Sequence, residues 1–206
     1  MTYDSPGSGL LPLRPDQLEN AVALAVRAFA DDPWTQAVAR PSDRDKFLPQ
    51  FYRLVLQYAL RHGEVWVSSS KLEGFTWWMP PGHQVDNRQL LGSGAFALPF
   101  RTSWEFVRRQ LAFEAAEQDA QKRIADFPHW YLALLAVDPA AQGQGHARRL
   151  MELQLERIDR ESFPCYLETY NERNLAFYAR YGFRVAGEFK VAHRINGWGL
   201  VRPAGL

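Results

Sequence analysis

The stretch "AVDPAAQGQGHARRLM", Ala136–Met151, joins an apolar run to an amphipathic one, and Gly143 and Gly145 stand near where they meet. Before it, "WYLALLAV" (130–137) is apolar almost without break, the pattern of a strand buried on both faces and central in a sheet. After it, "GHARRLMELQLERIDRE" (145–161) puts Ala147, Leu150, Met151, Leu155 and Ile158 on one helical stripe, with the arginines and glutamates mostly outside. Where a strand turns into a helix, the first backbone N–H groups of the helix lack internal partners and carry the positive end of the helix dipole. Such a corner suits a phosphate. Gly143 and Gly145 let the chain turn sharply and a pyrophosphate approach the backbone, Gln142 adds an amide donor, and Arg148 or Arg149 a charge at the rim. No glycine-rich loop ends in Lys-Ser or Lys-Thr, and the three-glycine dinucleotide fingerprint is incomplete. His146 is read as a helix-start residue whose backbone N–H matters, with a catalytic role as the alternative.

Working outward, "CYLET" (165–169) reads as the next strand and "NERNLAFYARYG" (171–182) as a short helix closed by Gly182. "FRVAGEFKV" (183–191) and "INGWGLV" (195–201) read as two last strands. Strand, helix, strand, helix, strand describes an α/β domain with at least one parallel crossover. Upstream, "LLPLRP" (10–15) reads as a first strand. "DQLENAVALAVRAFADDP" (16–33) reads as a helix with Leu18, Val22, Val26 and Phe29 at helical spacing, ending at Asp31 and Asp32 and closed by Pro33. "DRDKFLPQFYRLVLQYALRHG" (43–63) gives a second helix stopped by Gly63, then "EVWVSSS" and "KLEGFTWWMPP" two strands ended by Pro80 and Pro81. From His83 to Pro99 the chain is apolar and glycine-punctuated without a clean period, which suggests a lid. Thr102 and Glu105 have capping-box spacing for a helix towards Ile124, with Val107, Leu111 and Ala115 on one face.

With 206 residues, the chain is long enough for one well-buried core and short for two domains, so residues 1–206 are read as a single domain. Its 47% hydrophobic and 23% charged residues are those of a globular protein, and no apolar run approaches a membrane span. A start of "MTYDSPGSGLL" lacks the features of a secretory signal, and the expectation is a cytoplasmic protein. A net charge of +1 argues against nonspecific nucleic-acid binding. Cys165, the single cysteine, reads as a small buried hydrophobe.

Here the residues reach a resemblance. "VDPAAQGQGHA" resembles the Gln/Arg-x-x-Gly-x-Gly/Ala motif of the GNAT acyl-CoA N-acetyltransferases, matched by Gln142, Gly145 and Ala147. "LETYNERNLAFYARYGF" resembles the second motif of that superfamily, and Trp130 to Phe183 is similar to the subgroup containing puromycin N-acetyltransferase. "AFADDP" and "WWMPPG" resemble N-terminal landmarks of the same subgroup. The resemblance implies a mixed central β-sheet with splayed middle strands flanked by α-helices. It implies a cofactor-binding core at about 129–190 and an acceptor side formed by residues 10–128. Acetyl-CoA is the implied cosubstrate, with no metal. Its pantetheine would pair with the backbone of the strand ending at Ala136 and Val137. Its pyrophosphate would lie on Gln142, Gly143, Gln144, Gly145, His146, Ala147 and Arg148. The sequence departs from the motif at His146 and Arg148–Arg149, where small or apolar residues are usual, which alters the pocket rim more than the chemistry.

Acetyl transfer from a thioester to an amine needs a neutral amine, a stabilised oxyanion and a proton for the departing thiolate. Asn174 and Tyr178, four apart on a predicted helix, share one face. By resemblance Tyr178 matches the tyrosine that protonates the thiolate and Asn174 an asparagine that contacts CoA; packing beneath the sheet is the alternative for Tyr178. Glu168, on the Tyr166 face of its strand and near the strand end, is the candidate base, with a structural role or a water relay as alternatives. Asp31, Asp32 and Glu73 are further candidates for holding a cationic acceptor. Most of the seven tryptophans are expected in the core, with an aromatic pocket around Trp77 and Trp78 the other reading. The expected partners are acetyl-CoA and a small primary amine, without nucleic acid or membrane. A homodimer is compatible with the exposed aromatic content. A protein N-terminus or lysine as acceptor, and a catalytically silent CoA-sensing module, remain the rival readings.

Overall fold

The computed structural model describes residues 10–41, 44–83, 104–191 and 195–205. The expected lid beyond His83, the stretch Leu90–Phe100 and the Thr102 half of the capping box lie outside them. In chain order the elements are β1 (Leu11–Pro12), α1 (Leu18–Ala28), α2 (Pro33–Val38), α3 (Arg44–His62), β2 (Glu64–Val67), β3 (Gly74–Met79) and α4 (Trp104–Ile124). They continue with β4 (Trp130–Val137), α5 (His146–Glu161), β5 (Cys165–Thr169), α6 (Arg173–Ala179), β6 (Arg184–Val191) and β7 (Ile195–Arg202).

The strands form one mixed sheet in the order β1-β2-β3-β4-β5-β7-β6. All neighbours are antiparallel except β4 and β5, which are parallel and joined through α5. The alternation of strand side chains divides the core between the two faces of the sheet. Trp77 joins the core beneath α1 and α3, where Ala21, Leu24, Leu56 and Phe75 are buried. Its neighbour Trp78 joins the opposite core, with Trp130, Leu150, Met151, Leu155 and Ile158. Each fully buried aliphatic side chain on the α5 stripe contributes about 1.5–3 kcal/mol to holding the helix on the sheet.

β4 contains an irregularity beside the point where the sheet opens. Trp77 of β3 pairs with Leu134 and Trp78 with Leu132, so Ala133 is an extra residue without a partner across the ladder, a β-bulge. Close to it the parallel ladder ends: β4 and β5 pair only at Trp130↔Cys165 and Tyr131↔Tyr166, although β4 runs to Val137 and β5 to Thr169. The middle strands therefore splay, and the β5-facing edge of β4 beyond Tyr131 is free of strand partners.

Three local expectations are corrected. Pro33 opens α2, where its missing N–H is no loss, and Asp32 caps that helix by accepting from the Trp34 N–H at 2.9 Å. On α4 the buried residues are Phe106, Phe113 and Ala120, while Leu111 is exposed and Ala115 faces outward. The helix turns a polar stripe inward, which masks its apolar period. Arg157 of α5 is not outside, because it bonds buried Glu64 at 2.6 Å.

Candidate active site

The strand-to-helix corner is built by two left-handed glycines. Gly143 has φ +77 and Gly145 φ +88, and a Cβ at either would meet nothing within 4 Å, so the space above the backbone is open. Asp138 caps the short 3-10 turn Pro139–Ala141 by accepting from the Ala140 N–H at 3.0 Å, and Arg27 pairs with the same carboxylate. Gly145 is the N-cap of α5 and has no side chain to cap it. The first N–H reaching back to a carbonyl of this helix is that of Arg149, to Gly145 at 2.9 Å, so the N–H groups of His146, Ala147 and Arg148 precede the ladder. The first turn carries no acid, and Arg148 and Arg149 stand at the positive end of the dipole, an arrangement that an anion relieves. Gln142 and Gly143 are exposed at the rim, the Gln144 amide donates to the Ala140 carbonyl at 3.1 Å, and the His146 Nδ1 lies 3.1 Å from the Ser68 hydroxyl.

Between the splayed strands lies a cavity of about 620 Å³, within the ordinary range of small-ligand sites. Tyr131 to Leu135 of β4 form one wall, Glu168 and Thr169 of β5 and Asn174 and Tyr178 of α6 another. α4 contributes Glu114, Glu117, Gln118 and Gln121; Asp32, Trp34, Phe51 and Tyr52 close the far side. The structure thus brings Glu168, Asn174 and Tyr178 to one cavity. Ala136 and Val137 lie on the strand that walls it, but their β3 side is already paired with Phe75 and Gly74. Asn174 is oriented by donating to the Thr169 hydroxyl at 3.1 Å. Asp32 lines the cavity, whereas Asp31 is exposed and Glu73 bonds Ser69.

The electrostatics of the cavity are dominated by carboxyls. Burial, and then the adjacent Glu117 carboxylate, push the Glu168 carboxyl well above the usual range, with Tyr131 and Tyr166 partly offsetting this. Glu117 is raised too, chiefly by burial, although it accepts from the Tyr170 hydroxyl at 2.7 Å. Asp32 and Glu114 are also raised by burial. Tyr178 is pushed up by burial and then by the charge of Asp32, which keeps its proton on at neutral pH. Glu114, Glu117 and Tyr170 were not singled out from the sequence. Gln110, Glu114, Glu117 and Gln121, spaced four, three and four apart, were the signal of an inward polar face.

Residues 108–185 match the model of an acetyltransferase (GNAT) domain. That match covers well under half of the chain and makes this part of it similar to a GNAT acetyltransferase domain. The matched residues include the bulged strand, the glycine corner, Glu168 and Tyr178. A mycothiol acetyltransferase of Brachybacterium faecium is 27% identical over 193 residues, covering 89% of this chain and 44% of that protein. The chain therefore spans about half the length of that curated relative. The fold matches a structure of histone acetyltransferase HPA2 and related acetyltransferase from Corynebacterium glutamicum, with a TM-score of 0.64, 24% identity and 96% of both chains covered. Arylalkylamine N-acetyltransferase 2 of Aedes aegypti has a TM-score of 0.61 at 15% identity, covering 94% of this chain and 97% of its own. A polyamine N-acetyltransferase of Drosophila melanogaster has a TM-score of 0.62 at 13% identity, covering 94% and 98%. These GNAT likenesses establish the splayed mixed sheet as the fold. No helix among the described residues is long and apolar enough to cross a membrane.

Proposed function

We propose that this chain is a single cytoplasmic domain that transfers an acetyl group from acetyl-CoA to a primary amine of a small molecule, by direct attack in a ternary complex. The observation that carries this reading is the cavity at the strand splay, where Tyr178, Asn174 and Glu168 meet beside the free edge of β4. Acetyl-CoA fits the corner: two left-handed glycines open the space, and uncapped helical N–H groups with Arg148 at the rim suit its pyrophosphate. The thioester supplies the activated acetyl group. Gln142 to Arg148 hold the phosphates, and the unpaired edge of β4 towards Ala136 and Val137 accepts the pantetheine amides.

In the reaction, an acceptor arriving as an ammonium loses a proton towards Glu168, directly or through water. The high affinity of this carboxyl for a proton matches it to the task of a base near neutral pH. The amine nitrogen attacks the thioester carbonyl, and the C–N bond forms as the C–S bond breaks. The Tyr178 hydroxyl, kept protonated by its buried setting, gives its proton to the departing thiolate and recovers one from the amine through solvent. The size of the cavity and the amines that name two structural neighbours support a small acceptor over a peptide. Affinity with the puromycin N-acetyltransferase subgroup rests on the sequence motifs alone.

The deciding test measures CoA-thiol release from acetyl-CoA with puromycin, aminoglycosides, amino acids and short peptides beside an amine-free control. Release above the control with small amines supports the proposal. Release with peptides only transfers it to a protein acceptor, and acetyl-CoA binding with no release for any amine makes the domain a sensor.

A further inference from the structure

Several carboxyl groups elsewhere in this protein are matched with arginine. Buried Glu64 has Arg157 at 2.6 Å, Asp159 has Arg202 at 2.8 Å, and Glu105 has Arg40 and Arg109. The cavity breaks that pattern. Its four carboxyls, Asp32, Glu114, Glu117 and Glu168, meet neutral groups: the Trp34 N–H for Asp32, the Gln110 amide for Glu114 at 3.2 Å, the Tyr170 hydroxyl for Glu117, and Tyr131 and Tyr166 for Glu168. Among the described residues none of the four forms an ion pair, and Lys122 is the one basic residue lining the cavity. The buried Tyr166 hydroxyl faces Glu168. A chain of net charge +1 has no general surplus of acid, so this concentration of unpaired carboxyls is local. Without a counter-charge these buried carboxyls hold their protons more tightly, and a cationic occupant favours their ionised form.

The carboxyls also have a direction. Asp32 is the one whose charge reaches Tyr178, whereas Glu114, Glu117 and Glu168 interact in series along α4 and β5. The Trp34 indole donates to Gln110 at 3.0 Å and Gln110 in turn donates to Glu114, so the Glu114 carboxyl is held in place from the Asp32 side of the cavity. Among the described residues no three acidic, histidine or cysteine side chains converge as the ligands of a metal ion would. Phe51, Trp34 and Tyr52 supply an aromatic wall that would suit the methylenes of an extended cation.

We infer that the acceptor carries two cationic nitrogens, one presented between Tyr178 and Glu168 for acetylation and the other held by Glu114 and Glu117 on α4. This rests on the acetyl-transfer reading above and narrows it to diamines and longer polyamines.

The experiment compares 1,4-diaminobutane with butylamine, and 1,5-diaminopentane with pentylamine, by CoA-thiol release from the full chain. The diamines are expected to exceed their monoamines in kcat/KM by about tenfold or more, mainly through KM. In Glu114→Gln, and separately in Glu117→Gln, that ratio is expected to fall to about threefold or less. Equal kcat/KM for both members of each pair overturns the dication while acetyl transfer to amines stands. An undiminished ratio in both variants overturns the assignment to α4. Absence of thiol release with every amine refutes the dication together with the reading on which it rests.

Discussion

Replacing Gly145 by valine separates the conformational demand of the corner from its role as a ligand site. Gly145 lies at φ +88 and ψ 1, and a Cβ there meets nothing within 4 Å. The loss of stability therefore comes from the backbone alone, about 1–2 kcal/mol for a left-handed L-residue. For a chain of this length that lowers Tm by about 2–8 °C, and the protein still folds. Binding suffers more, because the valine side chain occupies the open space over the N–H groups of His146, Ala147 and Arg148. Two charge-assisted hydrogen bonds to a phosphate are worth about 3–6 kcal/mol together. Their loss weakens acetyl-CoA binding by at least about 100-fold. Calorimetric titration with acetyl-CoA beside thermal unfolding measures both quantities. Gly205→Val is the control, since φ is +71 there and the space is equally open but lies outside the corner. A Kd for Gly145→Val within about threefold of the native value, with the Tm lowered as expected, refutes the corner as the pyrophosphate site.

Tyr178→Phe is expected to lower kcat by about 100-fold or more while acetyl-CoA affinity stays within about threefold; equal loss of both in titration and steady-state kinetics contradicts an acid role. Glu168 gains its proton more readily in the folded protein than in the unfolded chain, so the folded state holds the extra proton above the ordinary carboxylate value of 4.5. Stability of the ligand-free protein accordingly falls as pH rises from about 4.5 into the neutral range, and Glu168→Gln flattens that part of a Tm–pH profile. Turnover follows the opposite course and rises with pH as the carboxylate forms; a flat rate profile from pH 5 to 8 counts against the base. Arg157→Ala strands the Glu64 carboxylate, which is only 4% exposed, and is expected to cost about 3–5 kcal/mol in chemical denaturation. A cost below about 1 kcal/mol would mean that the pair is solvated.

The parts of the fold written in local chemistry were legible before the structure. The Gly143–Gly145 corner, the apolar β4 and the α5 stripe each follow from a period or a turn residue, and their order implied a parallel crossover. Asp32 shows a limit of such reading: an aspartate before a proline suits the end of one helix as well as the cap of the next, and the chain does both within a few residues. α4 was misread for a different reason. Its apolar residues Val107, Leu111 and Ala115 do recur at helical spacing, but the opposite side faces a cavity, where polar residues are wanted inside. The motif that carries Glu168, Asn174 and Tyr178 picked out three residues that line one cavity. Glu114 and Glu117 owe their place in it to what α4 packs against, and Tyr170 its contact with Glu117 to a partner 53 residues away in sequence.

Ala133 carries more than its one methyl group. Beyond it the inward and outward sides of β4 are exchanged: Leu132 belongs to the α5 core, and so does Leu135, three positions on rather than two or four. Removing this single residue would restore the parity of the strand against β3, at the expense of the facing it now gives to the wall of the cavity. One extra residue thus lets the two halves of a single strand serve different faces of the sheet.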